Sequence, residues 1–435
     1  MPALSRSSAV REKSQFAERT SFAPRPPGKP VRIIHIISDL SIGGAEMMLH
    51  KLLAKSDRRC FEPIVISLID RGALRERIES LGIPVRTISM KPGMPSPSGL
   101  WRLVRLMRQL KPDLVVGWMY HSCLAAQLAN FFLAPQRYVI WSIHDSISCL
   151  AWEKRLTKAV IRVCAVLSKL AAHIVFVSQT SRAQHRAFGY HVNNSCVIPN
   201  GINVGEFVPS AKARSALRAE LGVGEDAYLI GLMGRYHPLK DHANFLQASA
   251  LLARKHPETH FVLVGRGIDY KNPLLCQSIQ DLGLERQTHL LGERHDMPRL
   301  AAALDVFSLS SFGESFPNVI GEAMACEVPC VVTNVGDAGL IVGDTGRIVP
   351  PRSPQALAAA WNEMINIGPS ARIALGQAAR TRVIEHFALE SVVARYEALY
   401  ETVLATEVAE NVTLAAPSMA SVRTLTATFD DSAVQ

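Results

Sequence analysis

The sequence predicts an α/β protein of two domains, each a parallel sheet covered by helices, facing each other across a cleft. Three observations predict it. The chain has 435 residues, more than one ordinary domain holds, so two domains of about 150–200 residues are expected. Short apolar runs alternate with helix-periodic segments over short connections, which suits parallel strands joined by helical crossovers. The alternation halts at Pro199-Asn200-Gly201-Ile202-Asn203 and restarts at Tyr228, which puts a domain boundary near residue 205. With 48% hydrophobic and 20% charged residues, the chain carries enough apolar surface for two cores.

The first domain, 31–205, opens with Val31 to Ile37, an uninterrupted apolar run suited to a strand buried on both faces. Gly43 and Gly44 follow, and then Met47 to Leu53 at helical spacing. Strand, glycine pair and helix form a Rossmann-like opening in which the backbone can approach a ligand closely. The three-glycine dinucleotide fingerprint is missing, so a tight turn without a ligand is the other reading. Further strands are expected at Pro63–Leu68, Val85–Ile88, Leu114–Trp118, Tyr138–Trp141, His173–Val177 and Cys196–Ile198, with helices such as Leu100–Leu110, Leu124–Phe132 and Arg182–Phe188 between them. His144 follows the strand ending at Ile143, where open α/β sheets bind ligands; a core or surface histidine is the alternative. The helix Trp152–Leu170 carries Leu156, Val160, Val163, Leu167 and Leu170 on one side, with Lys154, Arg155, Lys158, Arg162 and Lys169 among them. It either lies on an anionic membrane surface or turns its apolar side to the core.

The second domain, 206–385, restarts with a strand at Tyr228–Met233, then Gly234-Arg235 and Lys240-Asp241, then a helix to Arg254. Strands His260–Val264 and His289–Leu291 end in Gly265-Arg266-Gly267 and Gly292-Glu293-Arg294. Strand Asp305–Leu309 leads into Phe312-Gly313-Glu314-Ser315-Phe316-Pro317-Asn318-Val319-Ile320-Gly321-Glu322, and strands Cys330–Thr333 and Gly346–Val349 follow. Helices Pro354–Ile367 and Ala371–His386 complete the domain, and a helix over 386–406 closes the chain. Residues 1–30, rich in Ser, Arg and Pro, lack the apolar segment of a secretory signal; they and the tail 407–435 are expected to be disordered. The longest uncharged stretch, Leu114 to Gln136, is broken by Gly117, His121 and Pro135. It reads as strand, turn and helix, which leaves only peripheral contact with a membrane.

Charge divides unevenly. Lys and Arg against Asp and Glu give 22 − 10 = +12 for residues 31–205 and 18 − 22 = −4 for 206–406. A basic half attracts phosphorylated substrates or an anionic membrane. Aromatics interleaved with the basic residues are missing, which disfavours nucleic acid. The eight cysteines are scattered. Cys326 and Cys330 have no His or Cys cluster beside them, so reduced thiols in a cytoplasmic protein are expected, without metal or disulfide.

The chemistry concentrates in two places. Glu314 falls on the loop leaving a strand, and Glu322 falls within a helix begun by Pro317-Asn318. The backbone N–H groups of Phe316, Asn318 and Val319 lie between them, making a mouth for a polyhydroxylated anionic ligand. The bland reading is an exposed loop acid and an ordinary helical one. Arg235 and Lys240 flank the loop after the domain's first strand and suit a diphosphate, or are surface cations. Every one of these motifs follows a strand, so facing sheets bring them into one cleft.

In this order, Gly43-Gly44-Ala45-Glu46, His144-Asp145, Pro199-Asn200-Gly201, Gly234-Arg235 with Lys240, and Glu314 with seven residues before Glu322 resemble the GT-B glycosyltransferases of family 4, over roughly residues 31–405. The resemblance implies a retaining, metal-independent transferase with no cofactor. Its donor would be a nucleotide-diphosphate sugar, UDP- or GDP-linked, and its acceptor a saccharide or lipid-linked saccharide in surface polysaccharide, lipopolysaccharide or glycolipid assembly. It also implies a last helix packed back on the first domain. By the same resemblance, Glu322 holds the donor ribose, Glu314 the sugar hydroxyls, and amides from Phe316 to Val319 the sugar and phosphate. Arg235 and Lys240 stabilise the leaving diphosphate, Gly43 and Gly44 approach it from the first domain, and His144 contacts donor sugar or acceptor. Gly265 and Leu291 to Arg294 lie on the donor side, the latter near the base. Phe316-Pro317 departs from the commoner Glu-x-Phe-Gly pattern, and Gly336-Asp337-Ala338-Gly339 is an acidic variant of a glycine-rich turn similar to that of polysaccharide-assembly transferases. A non-catalytic nucleotide-sugar- or polysaccharide-binding protein on the same fold is the alternative.

Overall fold

The computed structural model describes residues 29–91, 96–147, 150 and 154–415. The first domain is a seven-stranded sheet in the order β3-β2-β1-β4-β5-β6-β7. The strands are β1 (Val31–Ile37), β2 (Phe61–Ser67), β3 (Val85–Thr87), β4 (Leu114–Trp118), β5 (Tyr138–Ile143), β6 (His173–Phe176) and β7 (Ser195–Val197). All pairings are parallel, so each connection needs a crossover. These carry α1 (Gly44–Lys55), α2 (Leu74–Ser80), α3 (Pro97–Leu110), α4 (Met119–Asn130), α5 (Arg155–Leu167) and α6 (Gln179–Phe188). One face of the sheet packs on Leu49, Leu52 and Leu53 of α1. The other packs on Leu103 and Met107 of α3, Cys123 and Ala126 of α4, and Ile161 and Cys164 of α5.

The second domain repeats the plan with six parallel strands in the order β10-β9-β8-β11-β12-β13. These are β8 (Tyr228–Met233), β9 (Thr259–Val264), β10 (Thr288–Leu290), β11 (Val306–Leu309), β12 (Cys330–Thr333) and β13 (Arg347–Val349). The helices are α7 (Ala211–Leu221), α8 (His242–Ala253), α9 (Pro273–Asp281), α10 (Met297–Ala302), α11 (Asn318–Ala325), α12 (Ala338–Val342), α13 (Pro354–Asn366) and α14 (Gly368–Phe387). Both strand orders place a switch beside the first strand of the sheet, the site where α/β sheets open a ligand crevice.

The chain crosses between domains twice, and the crossings are stitched together. Ile202 N–H donates to the Phe387 carbonyl at 2.8 Å, and Leu389 N–H donates to the Ile202 carbonyl at 2.9 Å. Gly201 permits this approach, because a Cβ there would sit 2.8 Å from Leu389 Cα. The last helix, α15 (Leu389–Ala415), then joins the first domain, burying Val392, Tyr396, Tyr400 and Val403 in its core. Glu397 fixes the docking by accepting from Ser56 Oγ and Asp57 N–H at 2.9 and 2.8 Å.

Three expectations need correction or extension. Helix α4 begins at Met119 rather than Leu124, directly off β4, because Met119 takes a left-handed φ of 66° that turns the chain without a loop. Helix α5 buries Val160, Ile161 and Cys164, while Leu156, Val163 and Leu170 stand exposed. The apolar side read from the sequence is therefore rotated from the buried one. Cys164 Sγ donates to the Tyr120 carbonyl and Tyr190 Oη donates to the Ile161 carbonyl, pulling that side inward. Helix α15 runs to Ala415, into the segment expected to be a disordered tail; residues 1–28 and 416–435 lie outside the described residues.

Candidate active site

The loops at the ends of β8 and β11 are tied together before any functional side chain is considered. Phe312 N–H donates to the Leu239 carbonyl at 3.0 Å, and Ser310 Oγ donates to the Lys240 carbonyl at 2.8 Å. Lys240, on the 3-10 turn Pro238–Lys240, is thereby set beside Glu314, with Nζ 2.5 Å from Oε1. Ser311 Oγ donates to the same oxygen at 2.7 Å. The pair is mostly enclosed, so its attraction is screened less than a surface pair's. Burial lowers the His237 ring, Arg235 and Lys240 lower it further, and Glu314 opposes them. Lys240, Glu314 and Ser311 thus meet at the end of the sheet where β8 and β11 lie side by side. Arg235 itself is exposed, and Arg352 lies over the Phe312 ring at 4.1 Å.

The second acid sits on α11, whose N-cap is Pro317. Proline donates nothing there, and the amides of Asn318 and Val319 precede the first intrahelical bond. Phe316 offers only its backbone, since its ring packs 5.7 Å from that of Phe387 in the core. Glu322 has its carboxyl raised by burial, opposed by Lys51 and reinforced by Glu206. Lys51, on α1 of the first domain, reaches within 3.9 Å of Glu322 and donates to the Gly201 carbonyl at 3.4 Å. Gly321 makes the approach possible, for a Cβ would meet Ile202 Cγ1 at 2.7 Å.

Across the cleft, a Cβ on Gly44 would meet nothing within 4 Å, so the bare backbone faces open space; one on Gly43 would run into the Glu46 carboxylate. His144 lies 4.9 Å from Trp118 in a near-parallel stack. Its Nδ1 is 3.0 Å from Asn200 Oδ1 and its Nε2 is 2.8 Å from Ser142 Oγ. Asn200 Nδ2 donates to Asn318 Oδ1 at 2.9 Å, which leaves Asn200 Oδ1 to accept from His144 Nδ1–H. His144 Nε2 then accepts from Ser142, and burial holds the ring neutral, with its pKa lowered to about 4. The histidine therefore belongs to a chain of hydrogen bonds that crosses from β5 to the first residue of α11.

Other expected donor-side residues are engaged elsewhere. Gly265 has φ 147°, and a Cβ would sit 2.1 Å from the Gly234 carbonyl oxygen, so loop packing already requires glycine. Leu291 N–H donates to the Leu263 carbonyl and its side chain packs on the domain core. Arg294 points into an ion-pair cluster, with Nε and Nη2 on Asp296 and Nη1 on Glu220, and these carboxylates raise its pKa. Its guanidinium donors are engaged by those two carboxylates.

Sequence reasoning missed Lys51, Ser315 and the role of Asp337. Asp337, 5% exposed, accepts from the backbone N–H groups of Gln179 and Thr180 at 2.8 and 3.0 Å. It therefore caps α6 from the other domain. Beside it, Ser178 and Ser315 share a hydroxyl hydrogen bond of 3.0 Å, both buried. Gly336 lets this turn lie against the Glu314 and Ser315 carbonyls, where a Cβ would come within 2.5 and 2.6 Å. The acidic glycine turn was the one visible signal.

Comparisons with known proteins bear on the family and the fold. The family described as Glycosyltransferase Family 4 matches residues 42–206, and that described as Glycosyl transferases group 1 matches 227–366. The Escherichia coli UDP-Gal:alpha-D-GlcNAc-diphosphoundecaprenol alpha-1,3-galactosyltransferase is 32% identical over 148 residues, 34% of this chain but only 38% of that protein. The putative glycosyltransferase EpsF of Bacillus subtilis is 28% identical over 330 residues, 71% of this chain and 82% of that one. Anabaena HepE in complex with UDP superposes with a TM-score of 0.75 at 25% identity, covering 86% of this chain and all of that one. The same protein with UDP-glucose gives 0.74 over 85% of this chain and 99% of that one.

Proposed function

The chain belongs to the GT-B glycosyltransferases of family 4, and from that premise we propose that it moves a sugar from a nucleotide-diphosphate sugar to a hydroxyl of a saccharide or lipid-linked saccharide, with retention and without a metal. The observation that carries the reading is the cluster of Lys240, Glu314 and Ser311, with Arg235 on the same loop after β8 and the leading amides of α11 on the connection after β11. As the C1–O bond breaks, its electron pair goes to the departing diphosphate. Arg235, Lys240 and the amides of Asn318 and Val319 offset that charge from fixed positions. Removing one such donor costs about 2.7–4 kcal/mol of transition-state stabilisation. The acceptor hydroxyl attacks on the face the diphosphate leaves, and its proton passes to the phosphate. No covalent sugar intermediate is required.

Glu314 holds Lys240 in place and accepts sugar hydroxyls; Glu322 binds the ribose. His144, neutral at pH 7 with both ring nitrogens engaged, acts as a positioned wall of the sugar site, not as a proton donor. The solved complexes of HepE favour a uridine donor. The Escherichia coli relative, a GlcNAc-diphosphoundecaprenol galactosyltransferase, favours a diphosphate-lipid-linked acceptor here; on our reading that acceptor is met at the cytoplasmic side of a membrane in surface polysaccharide assembly. A thermal-shift panel of UDP-, GDP- and ADP-sugars tests the donor, because a ligand bound only by the folded state raises the melting temperature. The UDP-sugars should stabilise the protein, and transfer should survive EDTA and vanish in Glu314→Ala. Stabilisation by none at millimolar concentration overturns the reading.

A further inference from the structure

We propose that the helical layer of α3 and α5 is a docking face for an anionic lipid bilayer. The inference deepens the lipid-linked acceptor reading above and gives the acceptor a route to the cleft. Residues 97–170 carry ten Lys and Arg against three Asp and Glu, a balance of 10 − 3 = +7. Helices α3, α4 and α5 together contain no acidic residue at all. A solvated helix face ordinarily mixes both signs and gains from pairs one turn apart. Within these three helices no base has an acid of its own helix one turn away.

The structure shows where the charge goes. Helix α5 turns Val160, Ile161 and Cys164 inward. Outward it presents Leu156, Val163 and Val166 at helical spacing, with Arg155 and Arg162 beside them, and Val166 is 69% exposed. The stripe continues through Lys169 and Leu170, both exposed. On the far side of α4, helix α3 exposes Trp101 to 61%, with the Arg105 guanidinium 5.6 Å above its ring. Two exposed helices thus carry the same pairing of apolar side chain and cation.

An anionic bilayer satisfies both halves of that pattern. Valine, leucine and tryptophan enter the headgroup–acyl boundary, while arginine stems lie along it with their charges at the phosphates. A second copy of this face would bring like charge against like charge. A polyanion alone would leave Val163 and Val166 in water. Helix α5 follows β5, whose last residue Ile143 precedes His144, so its N-terminal end lies on the cleft side of the sheet. No described helix is long and apolar enough to cross a membrane, so contact through this face is peripheral.

The test is co-sedimentation of the full chain with phosphatidylcholine vesicles, with and without phosphatidylglycerol. Wild type should sediment only with the anionic vesicles and less as salt rises. Each basic residue at such a surface is worth about fivefold in partitioning, so Arg155→Glu with Arg162→Glu should lower it by at least about 25-fold. Val163→Glu with Val166→Glu should lower it comparably, with the far-UV spectrum and the donor-induced thermal shift unchanged. Wild type left in the supernatant overturns the proposal, as does wild-type sedimentation of the valine variant. Concentration-dependent dimers lost in the valine variant would assign the face to a second copy and also overturn it. A donor shift without vesicle binding defeats this inference alone; vesicle binding without a donor shift defeats the transferase reading alone.

Discussion

Replacing Asp337 by alanine removes both acceptors that hold the first turn of α6 against the second domain. The carboxylate takes the Gln179 and Thr180 amides at 2.8 and 3.0 Å, and it is almost wholly enclosed. Hydrogen bonds to a charged group contribute about 1.5–3 kcal/mol each, and a carboxylate at a helix N-terminus adds about 0.3–1 kcal/mol. The two bonds share one group and do not add fully. Ser178, which accepts from Ser181 N–H at 2.9 Å, still caps part of the turn. The expected loss is therefore about 2–4 kcal/mol. Donor and acceptor belong to different domains, so the loss falls on their association, and the closed form weakens by about 30-fold to several hundredfold. The apparent affinity of a ligand that needs the closed form falls with that population. Donor KM should rise about tenfold or more while kcat at saturation changes little, and the melting temperature should drop. Asp337→Asn keeps one acceptor and should fall between. An alanine variant with wild-type KM and wild-type melting would refute the reasoning.

Two further outcomes are expected of the same site and its buried histidines. Lys240→Met should lower kcat by about 10²–10³ with a smaller change in donor KM, because its charge acts on the departing diphosphate; steady-state kinetics with kcat intact would remove the lysine from the chemistry. His144 and His185 have pKa values lowered to about 4 by burial, and His35 to about 3, against about 6.5 when unfolded. The unfolded chain therefore binds these protons first. The stability these rings contribute is complete above about pH 6.5 and is lost as pH falls toward 4. Urea midpoints should decline from pH 7 to pH 5, and a flat profile would contradict the burial of these rings.

Much of the fold was legible because β1, β4, β8 and β9 are apolar on both faces, and such runs need no partner to be recognised. Lys240 and Glu314 were legible for a related reason: each lies just past the end of a strand, and the fold brings strand ends together. What escaped was geometry between distant residues. The start of α4 was hidden because Trp118, Met119 and Tyr120 continue the apolar run of β4, and only the backbone turn at Met119 shows the change. The buried side of α5 was not legible because its apolar residues outnumber those that the core can take. Lys51 sits in a helix where a lysine is ordinary, and its proximity to Glu322 spans the domain interface. Asp337 caps a helix 158 residues away in sequence, which no local period can report.

The paired crossings at Ile202 and Ala388 bear on how the molecule opens. A single linker lets one body swing, twist and slide against the other. Two linkers bonded side by side remove the twist, so the expected movement is a swing about a line through these two residues. The rim bearing Lys240 and the rim bearing Gly44 would then separate and return along one arc, and register would survive each turnover. Spin labels placed on opposite rims should report one broad distance coordinate, and a second independent coordinate would show that the straps do not act as a pair.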